Sequence, residues 1–283
     1  AEAYCNLGVV QKEMGKSDDA MSSYKKAIGI NPKYAEAHNN LGNAFRDMGQ
    51  LEEAVEKIDE ALSYMPEKVG WRIKKALFLP IIPSSKEDIQ HRRALYSEAI
   101  TALMSEGLTV ENPFLDVGIT NFYLAYHDQN NRSLMQDIAK LYIQVCPKLT
   151  YQAKHCQSVQ RINKDILRIG FISSYFRDHT IGNLTRGIIE HFSRDNFEVI
   201  VFRLPGAKDT VSETIDRTAD KVVSLYQNLE RDREIIEGEE LDILFYPDIG
   251  MDPYTYFLSF ARLAPVQAVT WGHPDTTGIP NID

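Results

Sequence analysis

The sequence predicts two architectures in one chain of 283 residues: a solenoid of paired helices at the front and an α/β lobe with a parallel sheet at the back. Three observations predict this. Small, aromatic and proline positions recur at a fixed offset across residues 1–68. Helical patterning without a period fills residues 69–163. From about Lys164 onward, short β-branched runs alternate with amphipathic helical stretches.

The front repeats at 34 residues. Leu7, Gly8, Ala20, Tyr24, Ala27 and Pro32 recur as Leu41, Gly42, Ala54, Ile58, Ala61 and Pro66. That period is the one of the tetratricopeptide repeat, a helix–turn–helix unit. Gly8 and Ala20 leave room for two helices to approach, Gly15 and Gly49 sit at the turn inside each pair, and Pro32 ends the second helix. Asn6 and Asn40 hold the same position on the first helix of each unit. Side-chain amides carry both donor and acceptor, so a ladder of them on the concave face can pair with the backbone of an extended peptide. The plain alternative is a solvated or locally bonded asparagine. Two units fall short of the roughly three a stable stack needs, so further repeats or a cap are expected.

Residues 69–163 read as a helical bridge that caps the solenoid. "WRIKKALF" forms a helix broken by Pro80 and Pro83, and Ser84 or Ser85 caps the next one, with Leu95, Ile100 and Leu103 near one face. "NFYLAYHDQNNRSLMQDIAKLYIQVCP" gives two more helices around a polar turn at Asp128 to Asn131.

Residues 164–283 form the lobe. Strands are predicted at 166–173, 197–202, 221–225, 241–246 and 266–271, with helices between most of them; Leu184, Ile188 and Phe192 mark one helical face. Open α/β sheets place their chemistry in loops that leave the carboxyl ends of strands. Three such loops share one edge: Ser173–Thr180, Pro247–Asp252 and Gly272–Gly278. No G-x-G-x-x-G follows the first strand, so a dinucleotide fingerprint is excluded. Asp178 in the first loop, Asp248 and Gly250 in the second, and Thr276 and Thr277 in the third suit a cleft for a polar ligand such as a sugar. Gly272 and Gly278 supply unusual backbone angles, and Pro274 stiffens the third loop. Each is also an ordinary turn residue. Of seven histidines, His38, His91, His127 and His191 lie in helical patterns or a helix–helix turn, and His155 in a stretch without a clear element. Only His179 and His273 lie in strand-end loops, where an imidazole can accept a proton at neutral pH.

Composition narrows the classes. Apolar content of 43% and charged content of 25% fit a soluble globular chain, and a net charge of −9 argues against a nucleic-acid partner. No apolar run approaches the ~20 residues of a membrane span. Cys5, Cys146 and Cys156 have neither disulfide nor zinc spacing and read as reduced thiols of a cytoplasmic protein. No H-x-x-H, H-E-x-x-H or D-x-D occurs, so no metal is expected. Ala1 and the closing "GIPNID" read as cut ends of a longer polypeptide.

Tetratricopeptide repeats leading into "RIGFISSYFRDHTIGNL" and then "LDILFYPDIGMDPYTYFLSFARLAPVQAVTWGHPDTTGIPNID" resemble the O-linked N-acetylglucosamine transferase family, in its bacterial SPINDLY-type branch. The resemblance covers nearly the whole chain. It implies the N-terminal half of a two-lobed GT-B glycosyltransferase, inverting and metal-independent. A nucleotide sugar such as UDP-N-acetylglucosamine is then the co-substrate, held mostly by a second lobe outside these residues, so this chain alone is expected to be inactive. Serine or threonine hydroxyls of proteins are the acceptors. His179 maps to the catalytic histidine. Trp271, Gly272, His273, Pro274 and Thr276 map to the donor-sugar loop, and Asn6 and Asn40 to the acceptor-peptide groove. The chain departs from the family pattern twice. Tyr175 stands where the animal enzymes carry an aspartate, and His-Pro-Thr becomes His179-Thr180-Ile181. The rival reading is a non-catalytic scaffold that binds peptides or proteins, because fold does not fix function.

Overall fold

A computed structural model of the protein describes residues 1–157, 165–273 and 275–283. The chain divides into two compact units, Ala1–Val117 and Gly118–Asp283. The stretch expected to bridge the solenoid and the lobe contributes residues to both.

The first unit is all helix. α1 (Glu2–Glu13) and α2 (Ser17–Ile30) form one hairpin, and α3 (Ala35–Asp47) and α4 (Leu51–Tyr64) form the next. A side chain at Gly8 would stand 2.5 Å from the Tyr24 ring, and one at Gly42 would stand 3.0 Å from the Ala54 carbonyl. Glycine is thus a packing requirement at both sites. Gly15 and Gly49 reverse the chain at φ of +74° and +78°, a region costly for any other residue. Cys5, Ala20, Tyr24, Ala27, Ala37, Leu41 and Ala44 form the shared core. Leu41 is buried but its repeat partner Leu7 is exposed.

α5 (Val69–Ala76) starts 34 residues after α3, so the helix spacing outlives the side-chain signature. α6 (Lys86–Ser105) is capped by Ser85, whose hydroxyl accepts from Asp88 N at 3.1 Å, and α7 (Pro113–Asp116) is a single turn. The buried face of α6 is Tyr96, Ile100 and Leu103. Leu95, expected on that face, is exposed. It lies one position away from Tyr96, and the bulkier ring takes the inward place.

The second unit is a parallel sheet with helices on it. The first of the two helices expected around the polar turn is a 3-10 helix, Phe122–His127, ended by Asp128 in the left-handed region. α8 (Arg132–Val145) follows, and β1 (Leu167–Ile172) opens the sheet. The rest alternates: α9 (Thr180–His191), β2 (Phe197–Arg203), α10 (Thr210–Thr218), β3 (Lys221–Ser224), α11 (Leu229–Glu237), β4 (Ile243–Tyr246), α12 (Pro253–Leu258) and β5 (Val266–Val269). All five expected strands form. Their order is β3-β2-β1-β4-β5, every neighbouring pair parallel, with Ile169 opposite both Val199 and Ile243.

Ile169, Phe171, Phe176, Ile189, Val199, Val201, Val211 and Ile215 fill one core. Tyr142 of α8 meets Tyr256, Phe257 and Phe260 edge-on in a second. α9 buries Ile181, Gly182, Thr185 and Ile189. Leu184 is exposed, contrary to expectation, because the inward stripe of α9 runs through 181, 185 and 189. Ile188 and Phe192 are only partly buried against the core. The chain winds from β1 outward through β2 and β3, then returns to the other side of β1 for β4 and β5. The reversal between β1 and β4 is the topological switch point, where open α/β sheets leave a crevice at the strands' carboxyl ends.

Candidate active site

The loop after β1 is built by its own hydrogen bonds. Ser173 Oγ donates to Asp248 Oδ2 at 2.8 Å and accepts from Tyr175 N at 2.9 Å. Tyr175 OH donates to the Met251 carbonyl at 3.2 Å, which ties the loop after β1 to the loop after β4. The Tyr175 ring stacks on His179, centroids 4.4 Å apart and 27° between planes. Burial pushes the Tyr175 phenol up to about 12, so it stays neutral and does not replace a carboxylate. Asp178 points elsewhere: its carboxylate accepts from Asn183 Nδ2, and its backbone N–H donates to Asp209.

His179 caps α9. Its Nδ1 accepts from the Ile181 backbone N–H at 3.2 Å, as serine or aspartate does at most helix starts. A neutral imidazole has one donor and one acceptor nitrogen, so this bond leaves the proton on Nε2. Burial, aided by the Arg177 cation, holds the His179 pKa below the ordinary histidine value. The ring therefore presents a neutral N–H donor.

The loop after β5 makes the opposite choice. His273 is buried and its ring hydrogen-bonds the backbone of Phe122. Nε2 has no partner among the described residues, so Nδ1 makes that bond and carries the proton. Nε2 is left with a bare lone pair. Burial keeps this histidine neutral as well.

Three loops are thereby locked together. Gly272 N and Thr270 Oγ1 both donate to the Pro247 carbonyl, at 3.1 and 3.0 Å. A side chain at Gly272 would collide with that carbonyl and approach Ile181 Cδ1 to 2.8 Å. Gly272 is not among the glycines with positive φ, so close approach is its role and not the unusual backbone angle expected of it. Gly278 does adopt φ of +67°, and its Cα sits against the Met135 backbone. Gly250, at φ of +106°, lies beside His273: a side chain there would be 2.9 Å from Nδ1.

Asp248 is fully buried, and burial pushes its carboxyl up to about 7 despite the bond from Ser173. Trp271 is 69% exposed, Thr276 is exposed, and Pro274 lies outside the described residues. Asp275 is held by Asn131 Nδ2 at 2.8 Å.

His179, Asp248, Gly250, Gly272 and His273 thus belong to one connected set of loops, with Asp178 at its rim. Asn6 and Asn40 belong to the helical unit. Asn6 is exposed, and Asn40 Nδ2 reaches Cys5 Sγ at 3.4 Å. Among the described residues no group of histidine, cysteine, aspartate and glutamate could hold a metal ion. No helix among them is long and apolar enough to cross a membrane. Sequence reading missed Phe122 and Asn131, which support the loop after β5 from more than a hundred residues away. It also missed Ser173, whose hydroxyl joins two loops. Nothing local in the sequence marks such long-range partners.

A parallel sheet wound 3-2-1-4-5, with polar loops clustered at its switch point and paired helices ahead of it in the chain, defines a Rossmann-like lobe preceded by a helical-repeat solenoid. Comparison with known families specifies it further. The tetratricopeptide repeat matches residues 12–48 and 35–68, and glycosyl transferase family 41 matches residues 125–283, more than half of the chain.

The chain belongs to glycosyl transferase family 41. It is 36% identical over 89 residues to a UDP-glucose:protein N-beta-glucosyltransferase of Actinobacillus pleuropneumoniae serotype 5b, covering 30% of this chain and 14% of that one. A second such protein, from serotype 7, is 46% identical over 54 residues, covering 19% and 9%. The whole chain superimposes on 52% of a mutant O-GlcNAc transferase of Thermobaculum terrenum, with a TM-score of 0.61 and 19% identity, a likeness of fold. The chain therefore spans about half the length of that structure and a small part of the curated relatives.

Proposed function

We propose that this chain is the acceptor-side half of a protein glycosyltransferase. The repeats hold a polypeptide, and the lobe sets His179 against the reacting atoms of a nucleotide sugar whose nucleotide is held mostly by a second lobe. Family membership and the clustering of the three strand-end loops at the switch point support the reading. The observation that carries it is the complementary pair of histidines: His179 offers Nε2–H, and His273 offers a lone pair.

As the acceptor oxygen bonds to the anomeric carbon, the bond from that carbon to the diphosphate breaks; the hydroxyl proton passes to an oxygen of the departing diphosphate, where negative charge develops. A neutral, fixed N–H donor at that point stabilises developing negative charge or orients the attacking oxygen without reorganising. For His179 to take a proton on Nε2, it must keep that nitrogen bare and surrender the cap bond at Nδ1. The geometry favours donation. His273 accepts from a hydroxyl or amide N–H of the sugar, with Trp271 and Thr276 at the same loop. We read the transfer as metal-independent and inverting, in keeping with the SPINDLY-type resemblance, and the 283 residues alone as inactive.

The test incubates the protein carrying this chain with UDP-N-acetylglucosamine, UDP-glucose or GDP-fucose. Serine/threonine and asparagine peptides serve as acceptors, with and without a chelator, and products are read by mass spectrometry. A single sugar on the hydroxyl peptides, unaffected by chelator, is the expected result. Sugar on the asparagine peptide favours a second reading, prompted by the N-glucosyltransferase names of both curated relatives. No transfer from any donor gives the scaffold reading the lead.

A further inference from the structure

The 34-residue step from Asn6 to Asn40 lands next on Lys74, in α5. The side-chain signature of the repeat has lapsed by then. Since α5 starts 34 residues after α3, Lys74 still takes the same place on a first helix. A lysine is chemically unlike the amides before it, having three donors and no acceptor.

Its setting is unlike that of an ordinary structural lysine. Lys74 is 6% exposed, and among the described residues it makes no hydrogen bond or ion pair. Buried cations are nearly always paired, because an unpaired one is costly. The acids nearby are already engaged. Asp47 is bound by Lys12 at 2.8 Å and by Arg46 at 2.6 Å, and Asp116 accepts from Asn112 N at 3.1 Å. Burial first, and then the Arg46 and Lys12 cations, bring the amine down to about 7. The two cations outweigh Asp116 and Asp47 at this point. The amine is left open to an acceptor from outside, and a negatively charged one suits it best.

We propose that Lys74 is the third rung of the acceptor groove and binds a carboxylate of the bound polypeptide, so that acceptors with an acidic residue at that rung are preferred. This rests on the peptide-groove reading above. The amide rungs recognise backbone whatever the sequence, and the lysine supplies selectivity. A carboxylate arriving at Lys74 also restores the proton that burial removes, since an opposite charge favours the ammonium form.

The test uses the protein carrying this chain and fluorescein-labelled serine/threonine peptides read by anisotropy. The peptides differ only in glutamate against glutamine at alternate positions, each with a free or an amidated carboxyl terminus. The glutamate peptide should bind about tenfold or more tightly than the glutamine peptide, the scale of a hydrogen bond to a charged group. Lys74→Gln and Lys74→Met should erase that preference, since the charge-assisted bond is removed. Lys74→Met keeps the stem and should melt no lower than the parent, which separates lost selectivity from lost folding. A preference that appears only with a free terminus assigns the carboxylate to the chain end and keeps the role of Lys74. Equal binding of all peptides, or a preference that survives both substitutions, overturns the proposal and leaves the groove intact. No binding of any peptide overturns the groove reading itself.

Discussion

The loops after β1 and β5 each carry one histidine, and the two are opposites in physical terms. His179 begins a helix, is half-buried, and spends its Nδ1 lone pair on the Ile181 N–H. His273 is buried under Phe122, spends its Nδ1 proton on a carbonyl, and keeps an unpartnered Nε2. What each ring offers a ligand is therefore set by what the backbone takes from its other nitrogen. Two residues of one type, on one sheet edge, are made into a donor and an acceptor.

The largest effect expected from breaking this pair is on catalysis. In the glycosyl transfer assay, His179→Ala should lower kcat by about 10²–10³-fold, the range for losing one fixed donor at a transition state. His273→Ala should cost less in kcat and appear mainly as a raised KM for the nucleotide sugar. If His273→Ala abolishes turnover and His179→Ala does not, the two roles are exchanged.

The next effect is on the frame that holds the pair. Gly272→Ala puts a methyl group against the Pro247 carbonyl, a backbone atom that cannot swing aside. A loss of about 1–3 kcal/mol, the usual penalty for overpacking, should lower Tm by several degrees. An unchanged Tm would mean that the loops after β4 and β5 are not locked together.

A third prediction uses Asp248, between the two loops. Its folded pKa of about 7 lies above the unfolded value of 3.8. Its contribution to stability is fully present below the unfolded value and is lost as pH rises through the folded one. Asp248→Asn, which can still accept from Ser173, should therefore gain on the parent in denaturant midpoint as pH is raised from about 4 to about 7. A constant difference across that window would show that the carboxyl ionises normally. The smallest effect is expected at Tyr175→Phe. It removes one partly buried hydroxyl bond to Met251 and keeps the stacking on His179, for about 0.5–1.5 kcal/mol in urea titrations.

The two units differ in how much of this could be read beforehand. In the repeats, Gly8, Tyr24 and Ala20 recur at a fixed spacing, and each does by contact what its size implies. In the lobe, the alternation of β-branched runs and helices marks all five strands and puts three loops on one edge. The chemistry within those loops was less legible. That His179 and His273 sit in strand-end loops is plain from spacing. That they carry their protons on different nitrogens depends on Ile181, two residues away, and on Phe122, far away in sequence. Gly272 looked like a residue chosen for its backbone angle, and only the nearness of Pro247 shows otherwise. Leu95 and Leu184 went wrong because an apolar residue at helical spacing has neighbours that compete for the same inward position.

The opposed states of the two rings are the centre of the account, and long-range proton–nitrogen NMR on selectively labelled histidine reads them directly. Near neutral pH, with assignments made from His179→Ala and His273→Ala, His179 should show the pattern of a ring protonated on Nε2 and His273 that of one protonated on Nδ1. The same tautomer at both positions, or a charged imidazolium at either, would contradict it.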